Sequence, residues 1–132
     1  MEYSILIIDD DPDDCELVVE GLHQVGWSFQ IECIIDPEEA INFIEWKSKS
    51  NALPSIIILD LNMPKVGGMQ VLAKIKEINN DIPIILYSTT CTDEIVKQAK
   101  KLGASDCIKK GTSYTDNLKF ARLVLTLVKE II

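Results

Sequence analysis

Basic charge, histidine, aromatic rings and long apolar runs are all scarce in this chain. It has 13 Lys and Arg against 21 Asp and Glu, a net charge of −8 over 132 residues. That balance argues against nucleic-acid binding through a basic face, because phosphate neutralisation by Lys and Arg supplies most of such affinity. It equally disfavours anionic membrane surfaces. The single histidine, His23, stands among four cysteines, Cys15, Cys33, Cys91 and Cys107, with no CxxC spacing, so no zinc site is expected and the cysteines are read as buried or half-buried free thiols. No apolar stretch approaches the roughly 20 residues that cross a bilayer. Met1-Glu2-Tyr3-Ser4 runs into an apolar segment without the basic flank or small-residue cleavage site of a signal peptide, and the chain is expected to be cytoplasmic. Repeats and Gly/Ser linkers are missing too, so a single domain over 1–132 is expected.

What is present is a regular alternation. Short apolar runs at 3–8, 29–35, 56–59, 82–87 and, more briefly, 106–109 predict five strands. Between them lie helical patterns. Cys15, Val18, Val19, Leu22 and Val25 share one helical face, opened by Asp11-Pro12, an N-cap followed by proline at the first helical position. Asp36-Pro37-Glu38-Glu39 starts a second helix with Ala40, Ile41 and Ile44 inward. Val71, Leu72, Ile75 and Ile78 mark a third, and Ile95, Ala99 and Leu102 a fourth that Gly103 stops. A last helix covers 114–132. The run at 56–59 is continuous and β-branched, as a strand buried on both faces requires. The alternation predicts an α/β fold, a doubly wound five-stranded parallel sheet with five helices.

The strand ends carry the chemistry. Asp9-Asp10 end the first run, Asp60 the third, Ser88-Thr89 the fourth, and Lys110 follows the fifth. Ligands of open parallel sheets bind outside the carboxyl ends of the strands. If the strands are adjacent, three carboxylates, a hydroxyl and an ammonium converge on one crevice, a site for a divalent metal and a phosphoryl group. Two carboxylates about 4 Å apart repel by about 4 kcal/mol at an effective dielectric of 20, so such a cluster calls for a cation.

These residues resemble the receiver domain of two-component response regulators. The resemblance is carried by Ile7-Ile8-Asp9-Asp10, by Asp60-Leu61-Asn62-Met63-Pro64 with Gly68, by Ser88-Thr89, and by Gly103-Ala104 with Asp106 and Lys110. It implies a flavodoxin-like sheet in the order 2-1-3-4-5, the order shared by flavodoxins and chemotaxis receivers. It also implies that Asp60 accepts a phosphoryl group from a histidine kinase or a histidine phosphotransfer protein. Mg²⁺ would be held by Asp10 and Asp60, by the Asn62 backbone carbonyl, and by Asp9 through water; Ser88, Thr89 and Lys110 would contact the phosphoryl group. The implied protein is a phosphoacceptor of a phosphorelay that signals by binding a downstream protein. It is not an enzyme beyond Mg²⁺-assisted phosphorylation and dephosphorylation of itself, and it is expected to stand alone without an output domain.

Three positions depart from the family pattern. Gly67 stands where an acidic residue or Asn is usual, which implies a more flexible turn after Asp60. Cys107 takes the place of the aromatic switch residue. Gly111 replaces a proline whose peptide bond is commonly cis, which implies a looser loop around Lys110. Two rival readings follow: a pseudo-receiver that binds partners without phosphate, and a phosphatase of the haloacid dehalogenase type, which also uses an aspartyl phosphate but whose DxDx(T/V) signature is not matched by Asp9-Asp10-Asp11-Pro12. Asp11, Asp13 and Asp14 read as a solvated acidic helix start, Trp27 and Trp46 as packing residues, and His23 as a surface or cap residue.

The last helix carries two apolar stripes. Leu118, Ala121, Leu125, Val128 and Ile132 form the expected core face, with Phe120, Val124, Leu127 and Ile131 beside it. Together they cover roughly 200° of the wheel, about twice the usual buried arc. Either the helix is sunk deeply among its neighbours or the second stripe is an exposed patch for a homodimer or a partner.

Overall fold

The computed structural model describes residues 3–28, 30–63 and 66–131, the Ile131 side chain excepted. Strands β1 (Ser4–Ile8), β2 (Gln30–Ile34), β3 (Ile56–Leu59), β4 (Ile84–Ser88) and β5 (Asp106–Lys109) alternate with helices α1 (Pro12–Gln24), α2 (Pro37–Lys49), α3 (Gly68–Ile78), α4 (Asp93–Lys101) and α5 (Tyr114–Ile131). The five strands form one parallel sheet in the order β2-β1-β3-β4-β5. Fold class, strand order and the alternation all match expectation. Phe29 of the expected second strand lies outside the described residues.

Side chains alternate across the sheet and divide the core in two. Leu6, Ile8, Ile57, Leu59, Ile84 and Leu86 face α2, α3 and α4, whereas Ile5, Ile7, Ile56, Ile58, Ile85 and Tyr87 face α1 and α5. β3, β4 and four of the five residues of β1 are buried, which is why these segments read as continuous apolar runs rather than alternating ones.

The helix starts follow local chemistry. The Asp11 side chain accepts from the Asp13 N–H and the Asp36 side chain from the Glu38 N–H, each with proline opening the helix behind it. Thr92 caps α4 in the same way through the Ile95 N–H. α3 has no side-chain cap and begins instead at Gly68, where an added Cβ would lie 2.5 Å from Leu61 Cα and 2.6 Å from the Asp60 carbonyl oxygen. Only glycine permits that approach, so the start of α3 rests directly on the backbone that carries Asp60. Gly67 has open space around it and an ordinary φ of −61°; the demanding position of the pair is Gly68.

The described side chains of α5 follow the first of the two alternatives for its stripes. Phe120, Ala121, Val124 and Val128 are buried, so the inward face draws on both stripes, and Leu125 and Leu127 pack half-buried on its flanks. The helix is sunk. Gly21 of α1 lies where a Cβ would stand 3.2 Å from the Asn117 carbonyl oxygen, and this close approach lets α5 lie against α1 on the same face of the sheet. Phe120 stacks flat on Tyr87 at 3.7 Å between ring centroids, an anchor no exposed stripe would have. Phe120 and Val124 of the second stripe are thus buried in the chain's own core and Leu127 is half-buried; Ile132 and the Ile131 side chain lie outside the described residues.

Trp27 is buried, as expected of a packing residue, but Trp46 is 62% exposed on the outer side of α2, edge-on to Phe43 and under the Lys47 ammonium. His23 is exposed in the last turn of α1, as expected. Among the described residues no helix is long and apolar enough to cross a membrane.

Candidate functional site

Four strand ends meet as the sequence predicts. β1 and β3 are neighbours, with Ile8 opposite Leu59, so the next residues, Asp9 and Asp60, leave the sheet side by side, both buried. Asp60 N–H donates to the Ile8 carbonyl (2.9 Å) and Asp9 N–H to the Ile34 carbonyl (3.3 Å), which extends the ladder past the strands and fixes both backbones. Carboxylate oxygens of Asp9, Asp10 and Asp60 lie within 4.8 Å of one another. Such an all-carboxylate, hard-oxygen set suits Mg²⁺, which takes a few protein oxygens and keeps several waters.

Lys110 balances this charge. Its backbone N–H donates to the Ser88 carbonyl (2.7 Å), and its ammonium reaches Asp9 Oδ2 at 2.8 Å, Asp14 Oδ2 at 2.9 Å and Asp60 Oδ1 at 3.6 Å. Lys109, one residue earlier, is exposed. Burial works against the charge of Lys110, but the Asp9 and Asp14 carboxylates outweigh it and hold the ammonium above the ordinary lysine range. Burial and the Asp9 carboxylate push the Asp60 carboxyl from 3.8 up to about 6, against the pull of Lys110 and of the Asn62 N–H. Asp60 is therefore ionised at neutral pH but held at a cost.

The opposite wall is neutral. Asn62 N–H donates to Asp60 Oδ1 (3.2 Å), while its side-chain amide donates to Ser88 Oγ (3.0 Å), Thr89 Oγ1 (3.3 Å) and Thr90 Oγ1 (3.4 Å). Ser88 is fully buried and also accepts from the Thr90 N–H (3.2 Å). One amide thus ties the loop after β3 to the loop after β4.

Asp14 belongs to this site, although its sequence position reads as part of a solvated helix start. Its place in the first turn of α1, four residues beyond Asp10, is the only local signal; the partner lies 96 residues away. Gly111 is approached closely by one side chain. An added Cβ there would collide with the Asp116 side chain. Residues 111–115 are exposed, so this close approach is local to Gly111 and Asp116. Among the described residues there is no cis peptide bond.

The cysteines also differ from expectation. Cys15 and Cys107 are buried and Cys91 half-buried, but Cys33 is exposed. Cys107, standing at the expected aromatic position, has its thiol pushed up to about 12 by burial and by the neighbouring Cys91.

The sequence matches the response regulator receiver domain family over residues 5–121. It is similar to the response regulator Rcp1 of Synechocystis, 28% identical over 123 residues that cover 89% of this chain and 83% of that protein. It is also similar to the transcriptional regulatory protein PrrA of Mycobacterium leprae, 28% identical over 106 residues. That match covers 80% of this chain but only 42% of PrrA, so the chain spans less than half of that relative. Among solved structures, the phosphorylated cyanobacterial phytochrome response regulator RcpA superposes with a TM-score of 0.86 at 22% identity, covering 100% of this chain and 97% of that one; this likeness is one of fold.

Proposed function

The chain belongs to the response regulator receiver domain family, and from that premise we propose that it is a phosphoacceptor signalling domain with Asp60 as its acceptor. The observation that carries this reading is the buried Asp60 carboxylate, set beside Asp9 and within 3.6 Å of the Lys110 ammonium at the carboxyl end of β3.

An ionised Asp60 oxygen attacks the phosphorus of a phosphohistidine on a kinase or phosphotransfer protein; the new O–P bond forms as the P–N bond breaks, and the imidazole nitrogen leaves with the electron pair. Mg²⁺ held by Asp9, Asp10, Asp60 and the Asn62 backbone carbonyl would neutralise the phosphoryl oxygens and align them. Lys110, already 3.6 Å from Asp60, takes up a phosphoryl oxygen by a charge-assisted hydrogen bond. Ser88 exchanges the Asn62 amide for another phosphoryl oxygen, and Thr89 turns with it. Release of that amide frees the loop after β4, and the altered surface is what a downstream protein reads. The domain catalyses no reaction beyond its own phosphorylation and dephosphorylation, and it acts in the cytoplasm.

Incubation with acetyl phosphate and Mg²⁺ tests the reading by intact mass. One labile phosphoryl adduct that is lost in Asp60→Ala supports it. Undiminished uptake in that variant refutes the acceptor assignment, no uptake in the parent chain indicates a pseudo-receiver, and turnover of added phosphoesters indicates a phosphatase.

A further inference from the structure

Two sulfurs from different elements touch behind the loop that carries Thr89 and Thr90. Cys91 lies between Ser88 and the α4 N-cap Thr92, and Cys107 is the second residue of β5, in register with Leu86 of β4. Their Sγ atoms are 3.3 Å apart, and Cys91 Sγ is also 3.3 Å from the Cys107 carbonyl oxygen. All four cysteines are free thiols. We propose that Cys91 and Cys107 form a reversible disulfide site, closed by peroxide and reopened by thiols, which ties the β4–α4 loop to β5 and lowers phosphoryl uptake at Asp60. The second half of this proposal rests on the phosphoacceptor reading above.

Geometry supports bond formation. A disulfide is about 2.05 Å long, so the sulfurs need to close by about 1.3 Å, a displacement of the size that side-chain torsions supply. Access sets the order of events. Cys91 is half-buried and meets the oxidant first, whereas Cys107 is buried behind it and keeps its proton. The Cys91 thiolate attacks one peroxide oxygen, the O–O bond breaks, and the departing hydroxide is protonated to water, leaving a sulfenic acid. The Cys107 sulfur then attacks the Cys91 sulfur, the S–O bond breaks, and the Cys107 proton leaves with the hydroxide as a second water. Two thiols lose two electrons and two protons, and one peroxide becomes two waters. A reducing thiol reverses the bond by exchange.

The consequence follows from position. Cys91 is three residues beyond Ser88, in the segment that must move if Ser88 is to leave the Asn62 amide. A covalent tie to β5 holds that segment where the structure places it, with Asn62 on Ser88, Thr89 and Thr90.

The whole chain is treated with graded hydrogen peroxide, alkylated, digested without reductant and mapped by mass. Cys33→Ser, which removes the most exposed thiol, and Cys91→Ser are treated in parallel. A peptide linking Cys91 to Cys107 should accumulate in the wild type and in Cys33→Ser, and disappear with dithiothreitol. Cys107 should stay reduced in Cys91→Ser. Recovery of Cys91 as a sulfinic acid beside an alkylated Cys107 overturns the site, as do cross-links formed only between chains. Uptake from acetyl phosphate should then be several-fold slower in the oxidised than in the reduced wild type, and insensitive to peroxide in Cys91→Ser; equal rates overturn the control of uptake. The linked peptide forms equally in Asp60→Ala, so failure of the thiol site is separable from failure of the acceptor assignment.

Discussion

Replacing Asp60 by Asn should stabilise the metal-free protein at neutral pH, and the gain should vanish in acid. The Asp60 carboxyl is raised from 3.8 to about 6 in the folded chain by burial and by Asp9. A group raised on folding binds more protons in the native than in the unfolded state between those two values, so stability falls as pH rises through that window. Well below pH 3.8 the carboxyl is protonated in both states and costs nothing, and at pH 4 little of the penalty is left. Above pH 6 it is ionised in both and the full penalty applies, on the order of 3 kcal/mol when a rise of this size is converted at 1.36 kcal/mol per pH unit. Asn keeps the shape and an acceptor for the Asn62 N–H, so Asp60→Asn should recover about 1–3 kcal/mol at pH 7.5 in EDTA. For a chain of this length that is about 3–5 °C in Tm for each kcal/mol. Urea and thermal unfolding followed by circular dichroism at pH 4, 5, 6 and 7.5 measure it. Saturating Mg²⁺ should shrink or reverse the gain, because a cation held at 100 times its Kd adds about 2.7 kcal/mol to the wild type alone. A variant less stable than wild type at pH 7.5, or a difference that does not change with pH, would refute the account of Asp60 as a carboxylate held charged at a cost.

Three further outcomes follow from the packing. Lys110→Met leaves Asp9, Asp14 and Asp60 without their shared cation and should cost about 2–4 kcal/mol at neutral pH; denaturant titration in EDTA reads it, and a neutral effect would mean that the ion pairs are solvent-screened. Gly68→Ala brings a methyl to 2.5 Å from Leu61 Cα and should cost more than about 2 kcal/mol, whereas Gly67→Ala, with open space around it, should change stability by less than about 1 kcal/mol; similar losses for the two would undo the argument for the α3 start. Phe120→Ala removes a buried ring stacked on Tyr87 and should cost about 3–5 kcal/mol, and sedimentation should show no change of oligomeric state, in contrast to the behaviour of an interface residue.

Much of this arrangement is legible in the residues, for identifiable reasons. β3 and β4 are buried on both faces and so appear as unbroken apolar runs, and the caps Asp11 and Asp36 act within two residues of themselves. Local effects of this kind are written in local sequence. Convergence of Asp9, Asp10, Asp60, Ser88 and Lys110 needs the rule that parallel strands present their carboxyl ends together and a strand order that the family resemblance implies, and the choice of Lys110 over Lys109 follows from its spacing after Gly103-Ala104 in the motif that carries that resemblance. What is not legible depends on side-chain direction across long separations. Asp14 joins Lys110 because α1 aims its first turn at the loop after β5. The inward face of α5 falls between two stripes that a helical wheel weighs equally, and the Gly21 approach that selects it belongs to another helix. Trp46 has the composition of a core residue, yet α2 turns it outward, and the contact of Cys91 with Cys107 crosses 16 residues that include all of α4.

The order of the strands also governs how this protein behaves in a crowded solution. Its two edge strands are the ones that carry charge, Glu32 in β2 and Asp106 and Lys109 in β5, while the uncharged segments Ile-Ile-Ile-Leu of β3 and Ile-Ile-Leu-Tyr of β4 are flanked on both sides. Charged side chains on an edge discourage pairing with a strand of another molecule, whereas short apolar, β-branched, uncharged segments promote it. β5 is thus a guard strand as well as the strand that leads into Lys110: when it peels away, the uncharged edge of β4 is uncovered.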